Sequence, residues 1–250
     1  MNAYFLKLIA LFSMFIDHMV KAGIISQPML MNLFHLDLST SAFVLELIGL
    51  SGRISFPIFA FLIAEGYRHT HNSKRYLFRL LAFAVLSEIP FDLALIPWQN
   101  EWYQVITPYK HMNILFTFAL AIIGLMLYHH VQANKVHLSV QIGSLLLPVL
   151  PAVIYGTDYS VFGMMFVYVS YFCIDKKWCY ASMTGVLFLL YIVYSSGFFT
   201  NLTIHNLYEW IASCISILFI CFYNGKRGKS VKWIFYVAYP LHLLLITLWK

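Results

Sequence analysis

The first sign of chemistry in this sequence is a charged residue inside a long apolar stretch. Arg53 lies near the middle of residues 42–66, which are long and apolar enough to cross a lipid bilayer as a helix. A charge at that depth costs about 2.5 to 3.5 kcal/mol on insertion scales, so such residues usually have a partner or a function. The next apolar stretch contains Glu88 and Asp92. Arg53 is therefore interpreted either as a group that binds a substrate oxygen, or as the counter-ion of Glu88 or Asp17.

His18, in the first apolar stretch, is the residue best suited to take a proton from a substrate. Imidazole changes its protonation near neutral pH, which is what a general base requires. The adjacent Asp17 points about 100° away around a helix, so we expect it to pair with Arg53 or with another helix. A histidine at this position can also be a capping or packing residue. The presence of Arg53, Glu88 and His242 at similar depth favours the catalytic interpretation.

The composition is that of an integral membrane protein. Of the 250 residues, 61% are hydrophobic and only 10% are charged, whereas soluble proteins have about 25% charged residues. The net charge of +6 is distributed over short loops, which argues against a nucleic-acid partner and makes the lipid bilayer the expected environment. The four cysteines and the histidines have no metal-ligand spacing. We expect reduced packing cysteines in the cytoplasmic halves of the helices, and no metal site.

Nine apolar stretches predict an all-α bundle of about nine membrane-spanning helices. Merging or splitting the weak region 138–174 would give eight or ten. The first twenty residues do not resemble a signal peptide, because Asp17 and His18 interrupt the apolar region. All loops are short, so we expect one domain, 1–250. The predicted spans are 3–22, 42–66, 75–97, 112–130, 138–155, 160–174, 180–197, 205–223 and 232–249.

The distribution of basic residues predicts the orientation of the bundle. With the N-terminus in the cytoplasm, twelve of the 16 Lys and Arg residues are cytoplasmic and three are outside, which is the arrangement that the positive-inside rule favours. Polar residues from five or six segments then lie near mid-depth or in the outer half of the bundle, a convergence that indicates a site. They are His18, Arg53, Glu88, Asp92, His111, Asn113, Asp158, Tyr159 and His242.

Four blocks of the sequence, in order along nearly the whole chain, resemble the TraX family of polytopic membrane proteins. That family is grouped with wider membrane acyltransferases that use a histidine in the first helix. The blocks are 14–18 (Met-Phe-Ile-Asp-His), 52–61 with 65–67, 87–92 (Ser-Glu-Ile-Pro-Phe-Asp), and 224–225 followed by 235–236 and 239–243 (Tyr-Pro-Leu-His-Leu). The wider class shows a basic residue ahead of the first-helix histidine, and Lys7 is the comparable residue here.

The resemblance implies an acetyltransferase of the bacterial inner membrane that depends on acyl-CoA. Acetyl-CoA would bind from the cytoplasm, and an amine or hydroxyl of a pilin N-terminus, another peptide or a glycan would accept the acetyl group. His18 would be the base, and Arg53 would stabilise charge on the acyl oxygen with help from Asn113 or Tyr159. Asp17 and Glu88 would hold the network, and His242 would be a second base or a partner of the first. The acceptor side would include Asp92, His111, Asn113, Asp158 and Tyr159.

Two basic clusters on the predicted cytoplasmic face have two interpretations. Residues 68–79 and 224–229 are explained by topology alone, which is the simpler interpretation for the second cluster. The resemblance adds that they would meet the phosphates of acetyl-CoA. The basic residues concerned are Arg68, Lys74, Arg75, Arg79, Lys226 and Arg227.

Two other functions are compatible with the same residues. Buried acids and histidines also form proton relays, so a proton-coupled transporter is one alternative, although the sequence has no internal repeat. The other alternative is a pilus or conjugation assembly factor without enzymatic activity, in which the polar residues hold helices together. Binding of labelled acetyl-CoA by the purified protein would separate the acetyltransferase from both.

The predicted orientation can be tested by cysteine labelling. A membrane-impermeant reagent added from outside should react with a cysteine introduced near Asn100 and should not react with one near Ser73. The unmodified chain, with its four native cysteines, is the control. Equal labelling at both sites would disprove the N-in orientation.

Overall fold

A computed structural model describes residues 1–95, 111–173, 178–229 and 232–249. Asn100, the outer labelling site, lies outside the described residues. A 3-10 turn, Gly52–Ile54, joins α3 to α4, and a π-helical turn, Leu189–Tyr194, continues α10. The helices are α1 (Ala3–Lys21), α2 (Gln27–Phe34), α3 (Leu38–Ser51), α4 (Ser55–Arg68), α5 (Ser73–Leu95), α6 (Ile114–Ala133), α7 (Leu138–Leu146), α8 (Val149–Ile154), α9 (Ser160–Cys173), α10 (Cys179–Phe188), α11 (Ile204–Cys221) and α12 (Lys232–Trp249).

The prediction of an all-helical membrane bundle is confirmed for the described part of the chain. Each predicted span corresponds to a helix or a pair of helices, and the weak span 138–155 is divided into α7 and α8 beside Pro148, which lacks the amide hydrogen that a continuous helix needs. The prediction missed α2. Its start is marked by Ser26 and by a proline in the first turn, a common signature of a helix N-terminus.

The surfaces of the helices show why the chain needs a membrane. Among the described residues, four helical segments are long and apolar enough to cross a bilayer: Ala3–Lys21, Leu38–Arg68, Ile114–Ala133 and Ile204–Cys221. Four shorter apolar helices accompany them. Large apolar side chains point outward, with Phe12 68% exposed and Phe78 72% exposed. A soluble monomer rarely exposes apolar surface on this scale, so lipid is the solvent for these faces.

The chain divides into two compact units. Unit 1 consists of Met1–Phe59, Pro90–Gln99 and Leu187–Lys250, and unit 2 consists of Ala60–Ile89 and Asn100–Val186. In unit 1, α1 packs against α3, the 3-10 turn and α12, while α11 packs against the same turn. In unit 2, α6 packs against α7, α8 and α9.

The start of α3 is fixed by a polar cap outside the predicted membrane segment. The Asp37 carboxylate accepts hydrogen bonds from the side chain and amide of Ser39 and from the amide of Thr40. These bonds, chiefly the one from the Ser39 hydroxyl, stabilise the charged form and hold the pKa of Asp37 below its ordinary value. The cap satisfies amide groups that have no partner inside the helix.

The 3-10 turn between α3 and α4 is held by hydroxyl groups and by one close approach. Ser13 of α1 donates a hydrogen bond to the Ser51 carbonyl at 2.7 Å, and Ser55 donates to the Gly52 carbonyl at 2.9 Å. Gly52 is buried directly against the side chain of Asp17. Because Gly52 has no side chain, the turn approaches α1 closely enough to bring Arg53 to the same helix.

Replacement of Gly52 by alanine should therefore destabilise the protein. The added methyl group would lie 2.6 Å from Asp17 Oδ1 and 2.7 Å from Asp17 Cγ, so α1 and the turn must separate. We expect a loss of about 1 to 3 kcal/mol, the usual cost of overpacking. Thermal unfolding of the purified protein in detergent measures this loss.

Gly49→Ala is the matched control, because its methyl group would meet only Val20 Cγ1, at an ordinary 3.8 Å. It should leave the melting temperature unchanged or raise it. Equal melting temperatures for the two variants would show that the turn does not depend on its approach to α1.

Candidate functional site

Two buried histidines from opposite ends of the chain meet in unit 1. The Nδ1 atom of His18 lies 2.7 Å from the Nε2 atom of His242, although 224 residues separate them in sequence. His18 is 8% exposed and His242 is 6% exposed. The second nitrogen of His242, Nδ1, lies 2.8 Å from the carbonyl oxygen of Ala238. The two imidazoles are therefore part of one continuous hydrogen-bonded chain.

Helical periodicity explains how each histidine reaches this position. On α1 the buried residues are Ala3, Leu6, Ala10, Ser13, Met14, Asp17 and His18, which form one face of the helix. On α12, Tyr239, His242, Leu243 and Ile246 are buried at the same spacing. The two faces pack together, and the rings of Phe15 and Tyr239 lie 6.1 and 5.5 Å from the His242 ring.

Arg53 is neutralised by two carboxylates of unit 1. Its Nη2 atom lies 2.7 Å from Glu209 Oε1 on α11, and its Nη1 atom lies 3.9 Å from Asp17 Oδ1 on α1. Asp17 also pairs with Lys21 at 2.6 Å, one turn further along α1. Two positive and two negative side chains thus balance, as burial away from water requires. The sequence analysis considered Glu88 and Asp17 as counter-ions of Arg53, and Asp17 is one of the carboxylates found there.

Glu209 is the residue of this network that the sequence analysis missed. It is 8% exposed and lies on the buried face of α11 with Ser213 and Ser216. Its oxygen Oε1 is also 3.7 Å from His205 Nε2, and His205 Nδ1 is 3.1 Å from Glu46 Oε1. The sequence did contain a signal for Glu209. Like Arg53, Glu209 is a charged residue inside a predicted span, and a cation inside the membrane requires an anion nearby.

Glu88 has its own partner, in unit 2. Its Oε2 atom accepts hydrogen bonds from the backbone amide of Asn113 at 3.1 Å and from the Asn113 side chain at 2.5 Å. The same side chain donates to the Ala84 carbonyl and accepts from the Leu115 amide, so Asn113 joins α5 to the start of α6. Glu88, one of the two counter-ions considered for Arg53, thus has a partner within unit 2, while Asp17, the other, contacts Arg53 in unit 1 together with Glu209.

The remaining residues predicted for the acceptor side lie in both units. Asp92 is buried on α5 in unit 1, whereas His111 is exposed and has a left-handed backbone, with φ of 75°. The backbone amide of Asp158 donates to the Met112 carbonyl at 2.8 Å, and its carbonyl accepts from Thr117 at 2.6 Å. Tyr159 also has a positive φ, 56°, which is uncommon for an aromatic residue.

Arg68, predicted to meet donor phosphates, is occupied by groups of unit 2. Its Nη1 atom is 3.2 Å from Glu65, and its Nη2 atom donates to the carbonyls of Tyr171 at 2.5 Å and Ser170 at 3.3 Å. Those carbonyls belong to the last turn of α9, where a positive side chain is favourable. His69 contacts the other oxygen of Glu65 at 3.0 Å. Arg68 therefore stabilises a helix end.

The other basic residues of the turn are more accessible. Lys74 and Arg75 are exposed in the first turn of α5, whose partial positive charge adds to their own. Arg79 lies over the ring of Tyr76, with 5.9 Å between its guanidinium carbon and the ring centre. This end of α5 combines a helix N-terminus with exposed cations, which is a favourable arrangement for binding an anion.

The second basic cluster is held against the N-terminus. The Ala3 amide donates to the Lys226 carbonyl, and the Asn224 amide donates to the Met1 carbonyl, each at 2.9 Å. The side chains of Lys226 and Arg227 are exposed.

Within the described ranges, no group of three or more His, Cys, Asp or Glu is arranged to hold a metal ion. All four cysteines are free.

Fold and site together define a helical membrane protein with a buried histidine pair and a neutral ion network that share α1. A family model described as "TraX protein" matches residues 3–250, and the chain belongs to this family. The resemblance inferred from the sequence blocks is thereby confirmed at the level of the family.

A curated relative extends this comparison. The chain is 27% identical over 256 residues to a "Probable fimbrial assembly protein FimC, serogroup H1" from Dichelobacter nodosus. The alignment covers 98% of this chain and 94% of that protein. No solved structure matches the chain.

The largely buried ion pair of Arg53 and Glu209 gives a prediction about stability. Arg53→Met alone leaves Glu209 uncompensated and should cost about 3 to 5 kcal/mol, whereas Arg53→Met with Glu209→Leu should cost less than either change alone. Denaturant unfolding of the purified variants measures the three values.

Glu46→Gln is the control, because Glu46 belongs to the more exposed end of the same chain of contacts. Its effect should stay below about 1 kcal/mol, as for other surface pairs. Losses from Arg53→Met and Glu209→Leu that simply add would contradict the pairing.

Proposed function

We propose that this protein is an integral membrane acetyltransferase that moves an acetyl group from cytoplasmic acetyl-CoA to an amine or hydroxyl acceptor. The observation that carries the proposal is the buried contact between His18 and His242. A histidine held in a hydrogen-bonded chain, inside helices that cross the membrane, has the features of a general base. The family's resemblance to acyltransferases with a first-helix histidine supports the same assignment.

In the proposed reaction His18 first accepts a proton and later donates it. The acceptor loses its proton to His18 as its nitrogen or oxygen attacks the carbonyl carbon of the thioester. The tetrahedral intermediate collapses, the bond between carbon and sulfur breaks, and the electron pair leaves with the sulfur of CoA. Protonated His18 then returns its proton to that thiolate. The products are an amide or ester and free CoA.

Arg53 receives a positioning role in this proposal. Its charge is already shared between Glu209 at 2.7 Å and Asp17 at 3.9 Å, so a developing negative charge on substrate would compete with two carboxylates. The network instead fixes Asp17, and the residue next to Asp17 on the same buried helix face is His18. Arg53 and Glu209 thus hold the part of α1 that presents the base.

The donor side of the proposal rests on the start of α5. Lys74 and Arg75 are exposed there, beside the positive end of a 23-residue helix, and acetyl-CoA carries phosphates that such a site can bind. Arg68 is assigned to the end of α9 instead, because its guanidinium is occupied by Glu65 and two carbonyls. With the N-terminus inside, the start of α5 faces the cytoplasm, where acetyl-CoA is made.

The acceptor proposed first is a pilin or a related surface protein of a bacterium. The name of the relative, a probable fimbrial assembly protein, supports a partner from pilus assembly. Such proteins cross or leave the inner membrane, so we assign the chain to that membrane. The same name also supports a second candidate function, an assembly factor that binds pilus proteins without modifying them.

His18→Gln separates these two functions. Glutamine keeps the approximate size of histidine and its ability to form hydrogen bonds, but it does not take a proton. We expect the variant to insert normally, to bind labelled acetyl-CoA like the unmodified protein, and to lose about 10² to 10⁴ in transfer rate. Purified protein, labelled acetyl-CoA and a pilin peptide are the components of the assay.

Arg75→Ala should show the opposite pattern, because Arg75 belongs to the donor side. It should raise the KM for acetyl-CoA and regain most of its rate at high acetyl-CoA, whereas Lys135→Asn, which removes an exposed cation outside both basic clusters, should change neither constant. Undiminished transfer by His18→Gln would exclude His18 as the base. Failure of the unmodified protein to bind acetyl-CoA would leave the assembly factor as the better proposal.

A further inference from the structure

We propose that His242 is a positioning residue that fixes the tautomer of His18, so that Nε2 of His18 is the atom that takes the proton. The catalytic part of this inference rests on the function proposed above. The assignment of protons to nitrogens rests only on the hydrogen bonds of the described residues. It also decides between the two roles that the sequence left open for His242, a second base or a partner of the first.

The Ala238 carbonyl determines which nitrogen of His242 carries the hydrogen. Its oxygen lies 2.8 Å from His242 Nδ1, which is hydrogen-bonding distance. A carbonyl oxygen only accepts hydrogen bonds, so His242 Nδ1 must carry the hydrogen. A neutral imidazole carries a single hydrogen, so the other nitrogen of His242, Nε2, has a lone pair and accepts.

The protonation of His242 in turn determines which nitrogen of His18 carries the hydrogen. His242 Nε2 lies 2.7 Å from His18 Nδ1, and two lone pairs would repel at that distance. His18 Nδ1 therefore carries the hydrogen and donates it to His242. The remaining nitrogen of His18, Nε2, is then unprotonated and available to take a proton. A backbone carbonyl thus determines, through one intermediate ring, which nitrogen of His18 is basic.

The ring geometry fits a hydrogen bond between ring edges. The planes of the two imidazoles differ by only 17°, and their centres are 4.9 Å apart. That separation is about the N–N distance of 2.7 Å plus one ring radius on each side. The two nitrogens therefore lie close to the line between the ring centres, and the rings are nearly coplanar. This is the direction in which an imidazole N–H donates and an imidazole lone pair accepts.

The reversed chain requires a buried charge. If His242 donated to His18 as well as to Ala238, both of its nitrogens would carry hydrogens and the ring would be positive. His242 is 6% exposed, and the rings of Phe15 and Tyr239 lie beside it. An ion without a close anionic partner is costly in such surroundings. The neutral chain from His18 through His242 to Ala238 avoids this cost.

Two substitutions of His242 distinguish a positioning residue from a base. The amide group of glutamine reaches about as far as Nε2 of histidine, so the oxygen in His242→Gln can still accept from His18 Nδ1. The shorter side chain of asparagine reaches only about as far as Nδ1 and loses the contact with His18. Neither variant takes a proton. A second base would therefore be lost in both, whereas positioning is lost in one.

We expect His242→Gln to lower kcat less than about threefold and His242→Asn to lower it about 10- to 100-fold, the range for lost outer partners of a functional histidine. The KM for acetyl-CoA should be the same in both variants, because the phosphates of the donor are proposed to bind at the start of α5 and not at His242. Leu245→Ala, at a 52% exposed position of the same helix, is the control for changes in α12. A loss in His242→Gln as large as in His18→Gln would overturn the proposal.

Nitrogen NMR of the ¹⁵N-histidine-labelled protein in lipid tests the proton positions without any substrate. We expect Nδ1 protonated and Nε2 unprotonated in both rings, with a coupling across the hydrogen bond from His18 Nδ1 to His242 Nε2. The single variants His18→Gln and His242→Gln assign the signals. A protonated Nε2 on neutral His18 would overturn the proposal. This measurement stands even if the protein transfers no acetyl group, so the two proposals fail separately.

Discussion

The neutralisation of one partly buried arginine is the constraint on which unit 1 depends. A guanidinium inside membrane-spanning helices is tolerated only if anions accompany it, and here Asp17 and Glu209 approach it from α1 and α11. The 3-10 turn that carries Arg53 is therefore tied to two other helices. Gly52 makes the approach possible, because any side chain at that position would occupy the space of Asp17. Charge balance and close packing thus act at the same point of the fold.

The position of the histidine pair depends on this constraint, because His18 lies on the helix that the ion network holds. His18 follows Asp17 on the buried face of α1, so the helix that is fixed by the ion network is also the helix that presents the imidazole to α12. The two groups of interactions have different chemistry. The ion network balances charged side chains, whereas the two imidazoles form a hydrogen-bonded chain that ends at the Ala238 carbonyl.

The basic residues of unit 2 are of two kinds: some stabilise the fold, and others are exposed. Arg68 lies near the C-terminal carbonyls of α9 and contacts Glu65, as a helix end requires, while Lys74 and Arg75 stay exposed at the start of α5. Six residues apart in sequence, Arg68 and Lys74 thus have different surroundings. Glu88 likewise has a local role, since it binds the backbone and side chain of Asn113 and so connects α5 to α6.

The sequence by itself determined the membrane class, the positions of most helices and the family, as well as His18 and Arg53 as residues of interest. These depend on local properties: about 20 apolar residues span a bilayer, and a charge inside such a stretch is costly wherever it occurs. The tertiary structure decided the partners. Glu209 joins Asp17 at Arg53, and His242 meets His18 across 224 residues. Which helix faces which depends on packing between distant segments, and a single sequence contains no local signal for that.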